Sequence, residues 1–136
     1  KAYKSMNAYK LFVLDVGLLG AMSDLEVESI LEGNDIFIEF KGALTEQYVL
    51  QQMISDTRYT PYYFGTEKAT FEQDFLIQKG KNIIPIEVKS SDNIRSQSLK
   101  AYCDKYKPDK AVRFSTLKYI DQGWMENIPL YAVCNL

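Results

Sequence analysis

Glu72-Gln73-Asp74-Phe75-Leu76-Ile77-Gln78-Lys79-Gly80-Lys81-Asn82-Ile83-Ile84-Pro85-Ile86-Glu87-Val88-Lys89 is the stretch whose reading decides the fold. Two runs rich in strand-forming residues flank Gly80, which predicts strands over Phe71–Gln78 and Asn82–Lys89. Residues two apart on a strand point to the same side. Glu87 and Lys89 therefore share one face, and Ile84, Ile86 and Val88 supply the core from the other. A tight Gly80-Lys81 turn, glycine first as type II′ prefers, pairs Lys79 with Asn82. The same count sets Asp74 opposite Glu87 and Glu72 opposite Lys89. Opposed residues hold their Cβ atoms about 5 Å apart. Two carboxylates so placed repel unless a cation lies between them, and a divalent ion with oxygen ligands suits that position. A three-residue loop would instead bring Gln73 across from Glu87.

Upstream, the span from Asp35 to about Ser55 has helical spacing. Leu44, Tyr48, Val49, Leu50, Met53 and Ile54 recur at three and four residues. Glu46 lies in line with Val49, Leu50 and Met53. A carboxylate on an apolar stripe costs free energy unless it is paired, hydrogen-bonded or on a metal. Glu46 is thus a third acid expected to point toward the hairpin.

The remaining elements follow from similar patterns. Lys10–Val16 is predicted as a short strand, Leu18–Met22 as a helical turn, and Ser23–Gly33 as a short helix and loop. Pro61-Tyr62-Tyr63-Phe64 is an aromatic strand opened by proline, and Gly65–Thr70 is a turn. Ser90–Asn93 is a loop, and Ser96–Tyr106 is a helix ended by Lys107-Pro108. Strands are expected at Lys110–Ser115 and Leu130–Val133. The core order is helix, three strands, helix, strand (αβββαβ). The class is α/β, a mixed central β-sheet flanked by helices.

Composition narrows the chemistry. The chain has 136 residues, 46% apolar and 25% charged, as a globular domain has. Net charge is −2 and the pI is near 5.2, against a domain living mainly on phosphate contacts. There is no histidine, which removes Ser–His and Cys–His catalysis and His-based zinc sites. Oxygen ligands remain, which points to Mg²⁺ or Mn²⁺, with Ca²⁺ also compatible. Cys103 and Cys134 form no CxxC pair, so a reduced cytoplasmic setting is expected. No apolar run approaches the roughly 20 residues a bilayer requires, and no membrane role is expected.

In the chemistry these residues suggest, Asp74 and Glu87 hold the metal, with the Val88 carbonyl as a further ligand. Lys89 orients or deprotonates a metal-bound water, or stabilises charge on the phosphorane oxygens. Glu46 assists through a water or a second metal. The bland alternatives are a Glu72–Lys89 cross-strand ion pair and a solvated Glu46. Tyr62, Tyr63 and Phe64 offer faces for base stacking, although packing is the commoner use. Lys100, Lys105, Lys107 and Lys110 read as a solvated helix face, Trp124 as a packing anchor, and Cys103 as a small core residue.

The spacing from Asp74 to Glu87-Val88-Lys89, with Glu46 on an upstream helix, resembles the PD-(D/E)xK nuclease superfamily. That resemblance implies a restriction-endonuclease-like core. Gln73 stands where the superfamily's name has proline. The runs Gly42-Ala43-Leu44-Thr45-Glu46-Gln47-Tyr48-Val49, Tyr62-Tyr63-Phe64, Glu72-Gln73-Asp74-Phe75-Leu76-Ile77 and Ile84-Pro85-Ile86-Glu87-Val88-Lys89-Ser90 are similar to DUF4143, a C-terminal domain of prokaryotic AAA+-type ATPases. Leu11-Phe12-Val13-Leu14-Asp15-Val16-Gly17-Leu18 also resembles it. This likeness implies that residues 1–136 are a single nuclease-like domain, a C-terminal fragment of a longer ATPase. It also implies an N-terminal ATPase domain in the same protein, although no Walker motif occurs here. The expected function is Mg²⁺- or Mn²⁺-dependent hydrolysis of DNA. The alternative is a catalytically inactive module of the same fold, used for protein interaction or homo-oligomer assembly of the parent ATPase.

Overall fold

The computed structural model describes residues 9–24, 28, 35–65, 71–90 and 95–136. In chain order the elements are α1 (Val16–Met22), α2 (Asp35–Asp56), β1 (Tyr62–Phe64), β2 (Gln73–Lys79), β3 (Asn82–Val88), α3 (Gln97–Tyr106), β4 (Val112–Ser115), β5 (Ile120–Asp121), β6 (Glu126–Pro129) and a closing 3-10 helix (Leu130–Asn135). The six strands form one mixed sheet in the order β1-β2-β3-β4-β6-β5. β1, β2 and β3 run antiparallel in turn, β3, β4 and β6 are parallel, and β5 returns antiparallel along β6.

The β2–β3 hairpin has the expected two-residue turn. Lys79 pairs with Asn82, and the ladder continues through Ile77–Ile84 to Phe75–Ile86. Gly80 carries the positive φ of 64° that a type II′ turn requires at its first central position. Phe75, Ile77, Ile84, Ile86 and Val88 fall on one face. With Val112, Phe114 and Ile128 they meet Val49 and Met53 of α2. Val133 of the 3-10 helix closes this core. Gly42 does not interrupt α2, which runs unbroken for 22 residues.

The opposite face lies under α3. Leu99, Ala111 and Met125 form a smaller apolar cluster there, with Cys103 packed against it. Phe64, Phe71, Tyr102 and Tyr106 make a ring cluster at the β1 edge. Lys107 ends α3 in the left-handed conformation (φ 50°, ψ 51°), and Pro108 follows.

Three expectations are corrected. Lys10–Val16 is not a strand: it is an extended strap up to Asp15, which caps α1 by accepting from the Leu18 N–H. Side chains, not a neighbouring strand, satisfy its backbone: Gln47 both accepts from and donates to Val13, and Gln51 accepts from the Val16 N–H. Leu130–Val133 is 3-10 helix, and the last strands are β5 and β6. The sheet therefore extends beyond αβββαβ. Glu126-Asn127-Ile128-Pro129 has two polar residues and a proline, a weak strand signal in sequence. Pro129 is tolerated because it is the final residue of β6. The loops expected over Ser23–Gly33, Gly65–Thr70 and Ser90–Asn93 lie largely outside the described residues. Among the described residues no helix is long and apolar enough to cross a membrane.

Met53 is fully buried between α2 and the sheet. Met53→Ala is expected to destabilise the fold by about 2–5 kcal/mol through lost transfer energy and the cavity left behind. A urea unfolding curve measures this.

Candidate functional site

Asp74 lies one step beyond the last β2–β3 ladder pair, so the register carries it across from Glu87. The Lys89 N–H donates toward β4, to the Phe114 carbonyl at 2.8 Å. Alternation along the strand aims the Val88 N–H back toward β2. There Asp74 Oδ2 accepts it at 2.8 Å. A carboxylate thus replaces the backbone acceptor at the point where the ladder stops.

The other oxygen of Asp74 faces a lysine. Lys10 Nζ lies 3.4 Å from Asp74 Oδ1, 2.8 Å from Glu46 Oε2 and 3.3 Å from Glu72 Oε1. The Tyr63 ring borders the same ammonium, with its centroid 5.6 Å away. A Cβ at Gly65 would meet the Tyr63 phenol, so a larger residue there would push that ring aside. The strap delivers Lys10 to this point. Phe12 packs on Phe75, while Gln47 and Gln51 hold Val13 and Val16.

Electrostatics follow the geometry. Burial alone would lower the Lys10 pKa, but the Glu46 hydrogen bond and the charges of Glu46, Asp74 and Glu72 outweigh it and raise it. Burial and then the Asp74 charge push Glu46 above its ordinary value, against the pull of Lys10. Tyr63 is raised, by burial first and then by Glu72.

Glu87 and Lys89 form the second half of the site. Their side chains meet at 3.1 Å, as expected for residues on one face of a strand. Glu87 is buried, and its Oε2 has no hydrogen-bond partner among the described residues. Arg113 stands across from Glu87 in the parallel register, and Asn127 stands across from Arg113. Arg113 Nε donates to Asn127 Oδ1 at 2.8 Å, and the Ser115 hydroxyl donates to the same oxygen at 2.7 Å. Burial lowers the Arg113 pKa, and Glu87 counters it. A polar row therefore crosses the sheet beneath α3.

The structure brings Glu46 and Asp74 together through Lys10, and Glu87 together with Lys89. The alternative Glu72–Lys89 pair is not formed: Glu72 turns to Lys10 and Lys89 to Glu87. Nor is Glu46 a solvated residue; its side chain is about three-quarters buried, at 26% exposure. Val88 enters this arrangement through its N–H, which donates to Asp74. Among the described residues no group of three or more acid or cysteine side chains is placed so that it could hold a metal ion. A lysine fills the space between three of the acids.

Lys10, Gln47, Gln51 and Arg113 are contributors that sequence reasoning missed, and Tyr63 borders Lys10 rather than a base. Gln47 and Gln51 carried a signal: polar residues four apart on a buried helix face require partners. Trp124 is substantially exposed rather than an anchor, while its neighbour Met125 is buried. Of the lysines, Lys110 pairs with Glu126 at 2.8 Å, and Lys105 lies over the Phe71 and Tyr106 rings.

The family described as domain of unknown function (DUF4143) matches residues 41–133. The chain belongs to the DUF4143 family. No curated protein and no solved structure matches it. Glu46, Glu72, Asp74, Glu87 and Lys89 all lie within the DUF4143 match, whereas Lys10 and its strap precede it.

The strap's dependence on Gln47 is measurable. Gln47→Ala removes both bonds to Val13 and is expected to cost about 1–3 kcal/mol. Amide exchange should quicken at Val13, whose N–H donates to the lost side chain, more than at Val16, which Gln51 still holds.

Proposed function

We propose that this DUF4143 domain has a restriction-endonuclease-like core and hydrolyses DNA phosphodiesters with Mg²⁺ or Mn²⁺. The observation that supports the reading is the presence of two charged groups at one end of the hairpin: Asp74 with Glu46 and Glu72 about Lys10, and Glu87 with Lys89. Two features support affinity for cations, one in each group: an ammonium sits among Glu46, Glu72 and Asp74, and the buried Glu87 Oε2 lacks a partner among the described residues. The donors are all oxygens, as hard cations prefer.

Asp74, Glu87 and Glu46 would hold the ion, with the Val88 carbonyl as a further ligand. When bound, such an ion lowers the pKa of a water and neutralises phosphate charge. Asp74 is oriented for its part by the Val88 N–H, which occupies Oδ2. Glu87 orients Lys89, whose ammonium donates toward the phosphate oxygens as charge develops on them. The buried Arg113–Asn127–Ser115 row stiffens the strand beside Glu87. An ATPase domain of the same polypeptide would present the DNA, since the acidic pI gives this domain little general affinity for phosphates.

A second reading is favoured by Lys10 itself. If the ammonium is a permanent counter-ion, the domain is an inactive nuclease-fold module serving protein interaction or homo-oligomer assembly.

Nuclease activity is checked by metal-dependent cleavage of DNA by the full parent protein. Asp74→Ala and Glu87→Ala are each expected to lower it by roughly a hundredfold or more. Undiminished cleavage in either variant refutes the catalytic reading.

A further inference from the structure

The strap and α1 are built inside out. Toward the body, residues 9–22 make mostly polar contacts. Lys10 meets Glu46, Glu72 and Asp74, Gln47 clamps Val13, and the Val16 N–H goes to Gln51, with Phe12 on Phe75 the apolar exception. Toward solvent the segment is apolar. Leu11 is 87% exposed, Leu14 85% and Met22 66%, and Tyr9 and Leu18 are exposed as well. Within α1, Gly17 and Ala21, like Leu18 and Met22, stand four residues apart, so these four share one side of the helix. All four are exposed, and no residue of α1 is buried. A surface helix ordinarily shows the reverse order, with its apolar stripe inward and its polar face outward.

Single exposed leucines are ordinary, but a row of them along one short segment marks an interaction surface. Tyr9, Leu11, Leu14, Leu18 and Met22 together expose roughly 700 Å², close to the about 800 Å² that each partner buries in a standard stable interface. α1 also has little of its own to hold it. It is short and contains two glycines, so a cover on its outer face supplies burial that the helix lacks. The two charges of the segment stay off the ridge: Lys10 turns into the acids, and Asp15 accepts from the Leu18 N–H. An uncharged ridge is a poor match for a lipid surface, which draws helices carrying lysine and arginine. It is a good match for itself. In a two-fold contact the same patch meets its copy, so any charge on it would face its like.

We propose that the outer face of the strap and α1, built from Leu11, Leu14, Leu18 and Met22, is the surface on which two copies of this chain pair. The contact covers the apolar side of the segment and leaves its polar side on the body of its own copy. Lys10 and the hairpin carboxylates keep their partners in both copies, so the inference holds whether or not the domain cleaves DNA. The ridge precedes the residues 41–133 that match DUF4143, so pairing is carried by a segment outside the match.

Analytical sedimentation of the intact chain tests this. The native chain is expected to be a dimer with a dissociation constant on the order of micromolar or tighter. Leu14→Ser combined with Leu18→Ser should weaken the dimer by about a hundredfold or more while the circular dichroism stays native, because both side chains are exposed in the single copy. Tyr119→Ser, at an exposed aromatic just before β5 on the far edge of the sheet, should pair as the native chain does. A native chain that is monomeric at about 200 µM, a dimer that survives the double substitution, or one that Tyr119→Ser abolishes overturns the proposal. If the double variant fails to fold, amide exchange in the native chain decides. Protection over Leu18–Met22 should rise with protein concentration, and exchange independent of concentration overturns the proposal. Two other covers have their own signatures, and each also overturns it: a monomeric parent protein with the ridge protected assigns the cover to another domain of that polypeptide, and binding to phosphatidylcholine vesicles in place of pairing assigns it to lipid. A dimer without DNA cleavage upholds the inference and removes the nuclease reading; cleavage by a protein that stays monomeric does the reverse.

Discussion

Asp74 divides its two oxygens between two parts of the molecule. Oδ2 takes the Val88 N–H and ends the β2–β3 ladder, and Oδ1 faces Lys10 of the strap. Through this one side chain the sheet, the strap and, by way of Lys10, helix α2 are held in a single arrangement. The cost of a half-buried carboxylate is offset by one charge-assisted hydrogen bond and one ion pair. Its position also requires the hairpin to keep its register. A slip of one residue would send Asp74 to the apolar face and Phe75 to the polar one.

That register explains why the two halves of the site are chemically distinct. On the Glu87 side, charges are settled within the sheet: Lys89 pairs along the strand, while Arg113 and Asn127 follow across it. On the Asp74 side, settlement depends on a residue far away in sequence. The first half is built into neighbouring strands and is hard to change without unfolding them. The second is closed by a long, partly exposed side chain on the strap.

What could be read from the sequence divides along the same line. The hairpin was legible because a two-residue turn beginning with Gly80 leaves few registers, and the alternation of Ile84, Ile86 and Val88 with Glu87 and Lys89 selects one. Helix α2 was legible from its apolar period. Lys10 was not, because it meets Glu46 and Asp74 across 36 and 64 residues, and no local pattern announces a contact at that separation. The strap imitated a strand for a related reason. Leu11-Phe12-Val13-Leu14 has strand-like composition, but its hydrogen-bond partners are glutamine side chains supplied by α2. β6 failed in the opposite direction: its Asn127 looked like a loop residue, yet it is fully buried because Arg113 and Ser115 use its carbonyl oxygen.

Charge balance joins these observations. Buried carboxylates without a partner are costly, and Lys10 offsets that cost for Glu46 and Asp74. The chain finds the counter-charge in itself, in a lysine on a pinned strap.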